Sequence, residues 1–340
     1  MSRDNSIDIM RAMGLLLIVL AHVSPPHWIH ELRTFDVPLM LFVSGLAYSG
    51  KKIQMPYLSF LKTRLFRLVI PTYLFLVFYF VCFSISAQIG LTSPIPLSTM
   101  AGSFMFRDHP DSIGYVWIIR IFILVTMVTP LILWINERIR SECLACVLLV
   151  ALLLVQQVLV GVGVNNWWFV DEWLLSVLGY SALFLLGTRV KNLPFSVLCK
   201  YLLVPFCLLS LVAVVGWAHN GESFHILSFH ENKYPPQMYY LLYGMVVCIS
   251  LWMSKTVWIP FLNNKLMLFI GRNTLWIYFW HVLLLKLINQ IVDGQYWMLK
   301  YIIVLSLAVI FFFMQYTLVT NIRDRISSKF LNHFMGFLIG

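Results

Sequence analysis

Arg11 and His22, at the two ends of the first hydrophobic run, are of types that could do chemistry inside a membrane. In an α-helix the eleven-residue step between them returns to within about 20° of one direction and covers roughly 16 Å of axis. The two side chains, with Ile18, therefore share one stripe, and Asp8 lies about 60° to its side. The spacing predicts a cation near one membrane face in line with an imidazole near mid-depth.

Ionisable side chains inside a membrane span are costly, and this makes Arg11 and His22 candidates for a functional site. The alternative is structural. Arg11 would then extend to the membrane interface, and His22 would be hydrogen-bonded to a neighbouring helix.

A second group of cations precedes the third hydrophobic run. Arg64 and Arg67 are three residues apart, which makes them neighbours on one face of an amphipathic helix that also carries Lys62. The guanidinium groups of two arginines in that position could bind phosphate groups through paired hydrogen bonds. A basic segment that only touches anionic lipid is the alternative.

Two further pairs share a helix face because they are three residues apart: Tyr278 with His281, and Trp117 with Arg120. His281 is a second histidine inside a hydrophobic run. Arg120 lies about one turn inside the outer boundary, where it would pair with a carboxylate, an outer-loop carbonyl or a substrate, unless it extends outward.

The elements that position these residues are membrane helices. The chain is 60% hydrophobic and 11% charged, far from the ~25% charged residues of a soluble domain. We predict an all-α polytopic bundle of about ten transmembrane helices, since ten apolar segments can be recognised. They are 9–24, 35–50, 68–90, 115–135, 143–164, 173–189, 201–218, 238–254, 267–287 and 297–320.

Lysine and arginine sort into alternate loops, and by the positive-inside rule this places both termini in the cytoplasm. The outer loops hold little beyond Arg33, Arg107 and Lys233. The net charge of +10 is therefore a topology signal and not a sign of nucleic-acid binding. The cations assigned to the cytoplasmic side are Arg3, Lys51, Lys52, Lys62, Arg64, Arg67, Arg138, Arg140, Arg189, Lys191, Lys200, Lys255, Lys265, Arg323, Arg325 and Lys329.

No soluble catalytic domain fits between the spans, so an active site must lie inside the helical bundle. His27, His30 and Glu31 form an HxxHE patch after the first run, but a metal site needs more ligands than this short loop offers. We therefore expect no metal.

The chain resembles the acyltransferase-3 family of bacterial integral-membrane O-acyltransferases, which acetylate O-antigens, exopolysaccharides and related surface glycans. One departure is that Met10-Arg11-Ala12 stands where the family usually has leucine-arginine-glycine. The motifs that carry the resemblance, in chain order, are Arg11-x10-His22 preceded by Asp8, Phe35 to Gly45 (FDVPLMLFVSG), Arg64-x-x-Arg67 running into Pro71, Trp117, and Ile270 to His281 (IGRNTLWIYFWH).

The resemblance implies acetyl-CoA as donor, offered from the cytoplasm with its phosphates near Lys62, Arg64 and Arg67. His22 would be a general base, or would pass through an acyl-histidine. Arg11, held by Asp8, would orient the donor or stabilise the oxyanion.

The resemblance also concerns the acceptor, a glycan or lipid-linked sugar. His281, Tyr278, Trp117 and Arg120 would position this acceptor. We expect a single transmembrane domain over 1–340 in a bacterial inner membrane, without the hydrolase-like domain that some members append.

Two other functions are compatible with the sequence. One is a transporter of a lipid-linked sugar or small solute, whose membrane histidines relay protons. The other is an acyl-shuttling subunit that accepts acetyl from CoA but needs a separate transferase.

Overall fold

A computed structural model describes residues 4–51, 53, 55–163, 167–221, 225–226, 228–325 and 328–339. Arg3 and Lys52, two of the cations used for the topology prediction, lie outside the described residues. Within the described ranges the regular structure is helical and contains no strand, which confirms the all-α prediction.

The α-helices are numbered in chain order, and a π-helical turn at Val170–Leu175 leads into the eighth. Their bounds are α1 Asn5–His22, α2 His27–Leu32, α3 Asp36–Tyr48, α4 Tyr57–Gln88, α5 Leu97–Phe104, α6 Trp117–Arg138, α7 Glu142–Gly161, α8 Ser176–Val190, α9 Phe195–Asn220, α10 Met238–Met253, α11 Lys255–Leu262, α12 Lys265–Arg272, α13 Thr274–Ile288, α14 Trp297–Arg323 and α15 Lys329–Phe337.

Among the described residues, seven helices are long and apolar enough to cross a membrane, and nine spans result if each of two bent pairs counts as one. The pairs are α10 with α11 and α12 with α13. The difference from the expected ten lies in the second apolar segment. It folds as α3, whose 13 residues extend about 20 Å and so fall short of the ~30 Å hydrocarbon layer.

The chain divides into two compact units. Unit 1 comprises Met1–Ala21, Pro25–Gln54 and Leu124–Arg272, and unit 2 comprises His22–Ser24, Met55–Ile123 and Asn273–Gly340. The last residue of α1, His22, therefore belongs with unit 2, while Asp8 and Arg11 belong with unit 1.

In unit 1 the backbones of α3 and α8 touch through glycines. A Cβ atom on Gly45 would lie 2.1 Å from the Phe184 carbonyl oxygen, and one on Gly187 would lie 2.0 Å from the Phe42 carbonyl oxygen. Small residues allow membrane helices to approach this closely. The contact buries the short helix α3 inside unit 1.

In unit 2, α13 packs against α4 and α14, and α15 packs against α14 and α4. Phe75 of α4 stacks on Phe279 of α13 with ring centroids 4.6 Å apart. Trp276 donates a hydrogen bond from its indole nitrogen to the Phe337 carbonyl, one of the last carbonyls of α15. These contacts fix the position of α13, the helix that carries His281.

We expect Gly187→Ala to destabilise the protein, because its new methyl group meets a backbone carbonyl that cannot rotate away. Overpacking of this kind costs about 1–3 kcal/mol, and each kcal/mol lowers Tm by roughly 2–4 °C in a domain of 150–250 residues. The measurement is Tm in detergent. Gly161→Ala is the matched control, since a Cβ there has nothing within 4 Å. Equal Tm values for the two variants would contradict the proposed contact.

Candidate active site

Unit 2 brings the two membrane histidines into contact. His22 is the last residue of α1, and His281 lies in the middle of α13 with no solvent exposure. His22 Nδ1 and His281 Nε2 are 3.2 Å apart, and the rings are nearly parallel with centroids separated by 5.4 Å. The sequence assigned these residues to separate roles, whereas the structure makes them one hydrogen-bonded pair.

Two tyrosines surround the histidine pair. The Tyr115 ring meets His22 edge-on at 4.9 Å, and the Tyr278 ring lies 4.7 Å from His281. The Tyr278 hydroxyl donates a hydrogen bond to the Tyr115 carbonyl, and the Tyr278 carbonyl is hydrogen-bonded to His281 Nδ1. Sequence reasoning missed Tyr115. Its position two residues before Trp117 in an apolar segment is the signal that could have drawn attention to it.

Arg120 anchors the loop that precedes α6. It is 1% exposed, and its guanidinium donates to the Phe106 carbonyl at 2.7 Å and to both carboxylate oxygens of Asp108 at 3.0 and 3.1 Å. These partners are a loop carbonyl and a carboxylate, the two kinds of protein partner that the sequence suggested. Trp117 is partly buried at the start of α6. Contact of either residue with a substrate stays a prediction.

In unit 1, Asp8 holds two arginines. Its carboxylate is 1% exposed and lies 3.3 Å from Arg11 and 3.3 Å from Arg272, whose side chains are 28% and 44% exposed. Gly271 permits this arrangement, because a Cβ there would lie 1.8 Å from the Asp8 carbonyl oxygen. The Asp8–Arg11 pair is the one that the family resemblance implied. Sequence reasoning missed Arg272, although it lies in the IGRN motif.

The basic residues of α4 are exposed in unit 2. Lys62, Arg64 and Arg67 occupy the first three turns of a 32-residue helix. A helix of this length extends about 48 Å, some 18 Å more than the hydrocarbon layer, so its basic end has room to project into water. Such an end can bind the phosphates of a soluble ligand or of lipid headgroups.

The HxxHE patch belongs to a polar cluster in unit 1, which we call the Asp36 cluster: His30, Glu31, Arg33, Asp36, His230 and Lys233. Asp36 pairs with Arg33 at 2.6 Å and with Lys233 at 3.2 Å, so it ties the start of α3 to the loop before α10. Glu31 accepts a hydrogen bond from the His230 backbone at 2.8 Å. In the part of the chain that the structure describes, no group of three or more His, Cys, Asp and Glu side chains could hold a metal ion.

The two histidines of the Asp36 cluster have lowered pKa values and are neutral at pH 7. Burial, followed by Arg33, lowers the pKa of His30 to about 3, and burial, followed by Lys233, lowers the pKa of His230 to about 4. His27 also contributes to the lowering of the His230 pKa, while Asp36 opposes both shifts. The unfolded chain, with an ordinary pKa of 6.5, binds these protons more readily than the folded protein does.

We therefore expect stability to fall as pH drops from 7 to 5, because the unfolded state gains protons there while the folded state does not. The loss should be about 2 kcal/mol for each histidine, or roughly 4 kcal/mol for the pair. Tm in detergent at several pH values measures it. The double variant His30→Gln/His230→Gln should lose most of this pH dependence, and His333→Gln, at an exposed position, should retain it. If Tm of the double variant changed with pH as much as that of the wild-type protein, His30 and His230 would not be the source of the pH dependence.

Comparison with known proteins covers nearly the whole chain. Residues 4–325 match the acyltransferase-3 family model, described as an acyltransferase domain, and this range includes both histidines and the cations of α1 and α4. No curated protein and no solved structure matches the chain. The chain therefore belongs to the acyltransferase-3 family, and it is a multi-pass membrane acyltransferase.

Proposed function

We propose that the protein moves an acetyl group from cytoplasmic acetyl-CoA to a hydroxyl of a cell-surface glycan or its lipid-linked precursor, in a bacterial cytoplasmic membrane. One observation carries the proposal: the 3.2 Å contact between His22 and His281, in a chain that belongs to a family of acyltransferases. A paired, mostly shielded imidazole is suited to remove a proton from a hydroxyl group.

In the proposed reaction His22 removes the proton of the acceptor hydroxyl while its oxygen attacks the thioester carbonyl carbon. A C–O bond forms, the C–S bond breaks, and the imidazolium returns the proton to the departing thiolate. The products are an O-acetyl ester and the CoA thiol, so atoms and charges balance. An acyl-histidine route would use the same imidazole as the attacking group.

The donor site is proposed at the basic end of α4. Arg64 and Arg67 are exposed neighbours on one helix face, and Lys62, two residues before Arg64, adds a third exposed cation. CoA carries a 3′-phosphate and a pyrophosphate, which are bidentate partners for arginine. The exposure of these cations supports access from water.

Arg11 fits donor orientation better than oxyanion stabilisation. Its guanidinium is bound to Asp8, which lies toward the start of α1, whereas His22 is the last residue of the same helix. The rise of an α-helix separates residues 11 and 22 by roughly 16 Å. An oxyanion at His22 would need donors within about 3 Å, which a guanidinium held at Asp8 does not supply.

The acceptor is proposed to meet aromatic side chains near His22. Tyr115 lies edge-on to the His22 ring, and Trp117 follows it at the start of α6. Tyr278 is buried and donates its hydroxyl to the Tyr115 carbonyl, so it would act on the acceptor through the position of Tyr115. Arg120 would influence acceptor binding indirectly, through the position of the loop that it anchors.

We expect His22→Ala to lower acetyl transfer at least 10²-fold, because it removes the proposed base. The measurement uses purified protein in liposomes with radiolabelled acetyl-CoA and an acceptor glycan, and mass spectrometry locates the ester. Full transfer by His22→Ala would remove His22 from the reaction. Label that accumulates on wild-type protein and never reaches glycan would indicate an acyl-shuttling subunit. Proton-driven flux without transfer would indicate a transporter.

We expect Arg64→Ala/Arg67→Ala to raise the KM for acetyl-CoA at least tenfold, because each lost charge-assisted hydrogen bond weakens binding by about 1.5–3 kcal/mol. The kcat should change little. The matched control is Arg323→Ala/Arg325→Ala, which removes the same charge from exposed positions at the end of α14. Equal KM values for both double variants would contradict a donor site on α4.

A further inference from the structure

We infer that His281 is a positioning residue that fixes the ring tautomer of His22, so that Nε2 of His22 is the nitrogen that handles the proton. The role in turnover rests on the proposed function, whereas the tautomer itself follows from the contacts alone. The sequence had suggested that His281 contacts the acceptor, and this inference assigns it a different partner.

The argument begins at the Tyr278 carbonyl. His281 Nδ1 is hydrogen-bonded to this oxygen, one turn earlier on α13. A carbonyl oxygen can only accept, so His281 Nδ1 must carry a proton. Which nitrogen of an imidazole is protonated is set by such a bond.

The second step concerns the other nitrogen of His281. The side chain has no solvent exposure, and a buried imidazolium would be costly in the membrane interior. The neutral ring with a proton on Nδ1 leaves Nε2 as an acceptor. Its neighbour at 3.2 Å is Nδ1 of His22, which must therefore be the donor of the bond between the rings.

The third step fixes His22 itself. A neutral His22 that donates from Nδ1 carries its remaining lone pair on Nε2. The ring is also held sterically, with His281 nearly parallel to it and Tyr115 edge-on at 4.9 Å. One tautomer and one ring orientation are thus selected before any substrate arrives, which lowers the cost of reaching the reactive geometry.

His281 accepts a hydrogen bond from His22 and does not relay the proton further. A proton passed from His22 to His281 could go no further, because the chain of hydrogen bonds ends at a backbone carbonyl. The proton taken from the acceptor must therefore stay on His22 Nε2 until the thiolate leaves. A neutral imidazole also orients His22 without adding a buried negative charge, as a carboxylate would.

The tautomer can be measured without any turnover. Protein labelled with ¹⁵N-histidine and reconstituted in liposomes is studied by solid-state NMR at pH 7.5, and the His22 signals are assigned by their loss in His22→Gln. We expect His22 protonated on Nδ1 and unprotonated on Nε2. A proton on Nε2 of His22 in the wild-type protein would overturn the inference, whatever the substrate proves to be.

Kinetics then separate positioning from acceptor binding. We expect His281→Leu to lower kcat about 10²-fold or more, with both KM values within about twofold, because the leucine cannot accept from His22 Nδ1. His281→Gln should recover about tenfold of that loss, since its amide oxygen can accept. His333→Leu is the control, an exposed histidine of the same unit.

The result that would overturn the positioning role is a raised acceptor KM with unchanged kcat in His281→Leu. Folding of each variant is checked by size-exclusion chromatography. If His281→Leu does not fold, the comparison of His281→Gln with the wild-type protein still tests the positioning role. Absence of glycan acetylation by wild-type protein would refute the proposed function alone, since the NMR result still decides the tautomer.

Discussion

The hydrocarbon layer supplies no water, so a polar group inside it must find its hydrogen-bond partner within the protein. Arg120 meets this requirement with a loop carbonyl and the Asp108 carboxylate. His281 meets it with the Tyr278 carbonyl and His22. The same constraint that makes these side chains costly also gives each one a definite position, and a definite position is what a catalytic group needs.

The two ends of α1 make contacts of different kinds, ionic near its start and aromatic at its end. Near its start, Asp8 gathers two arginines, and both of those arginines keep part of their surface in contact with solvent. At its end, His22 contacts an imidazole and a phenol ring. The helix therefore contributes to a charged cluster in unit 1 and to an imidazole pair in unit 2.

Short elements contribute to the fold as well as long spans. Helix α3 is too short to cross the membrane, and it is buried because Gly45 and Gly187 let its backbone touch α8. The Asp36 cluster then fixes the start of α3 through the ion pairs of Asp36 with Arg33 and Lys233. Elements that do not span are tolerated at membrane depth where protein surrounds them.

The sequence by itself determined the helical class and the membrane location, because period and hydropathy are local properties. Its motifs identified the family, and the resemblance implied the Asp8–Arg11 pair. For Arg120 the sequence offered a carboxylate, a loop carbonyl, a substrate or an outward extension, and the structure selected the first two. Only the tertiary structure decided that His281 meets His22 and that Arg272 meets Asp8. These partners lie 259 and 264 residues apart in the chain, and packing of whole helices, which no local pattern encodes, brings them together.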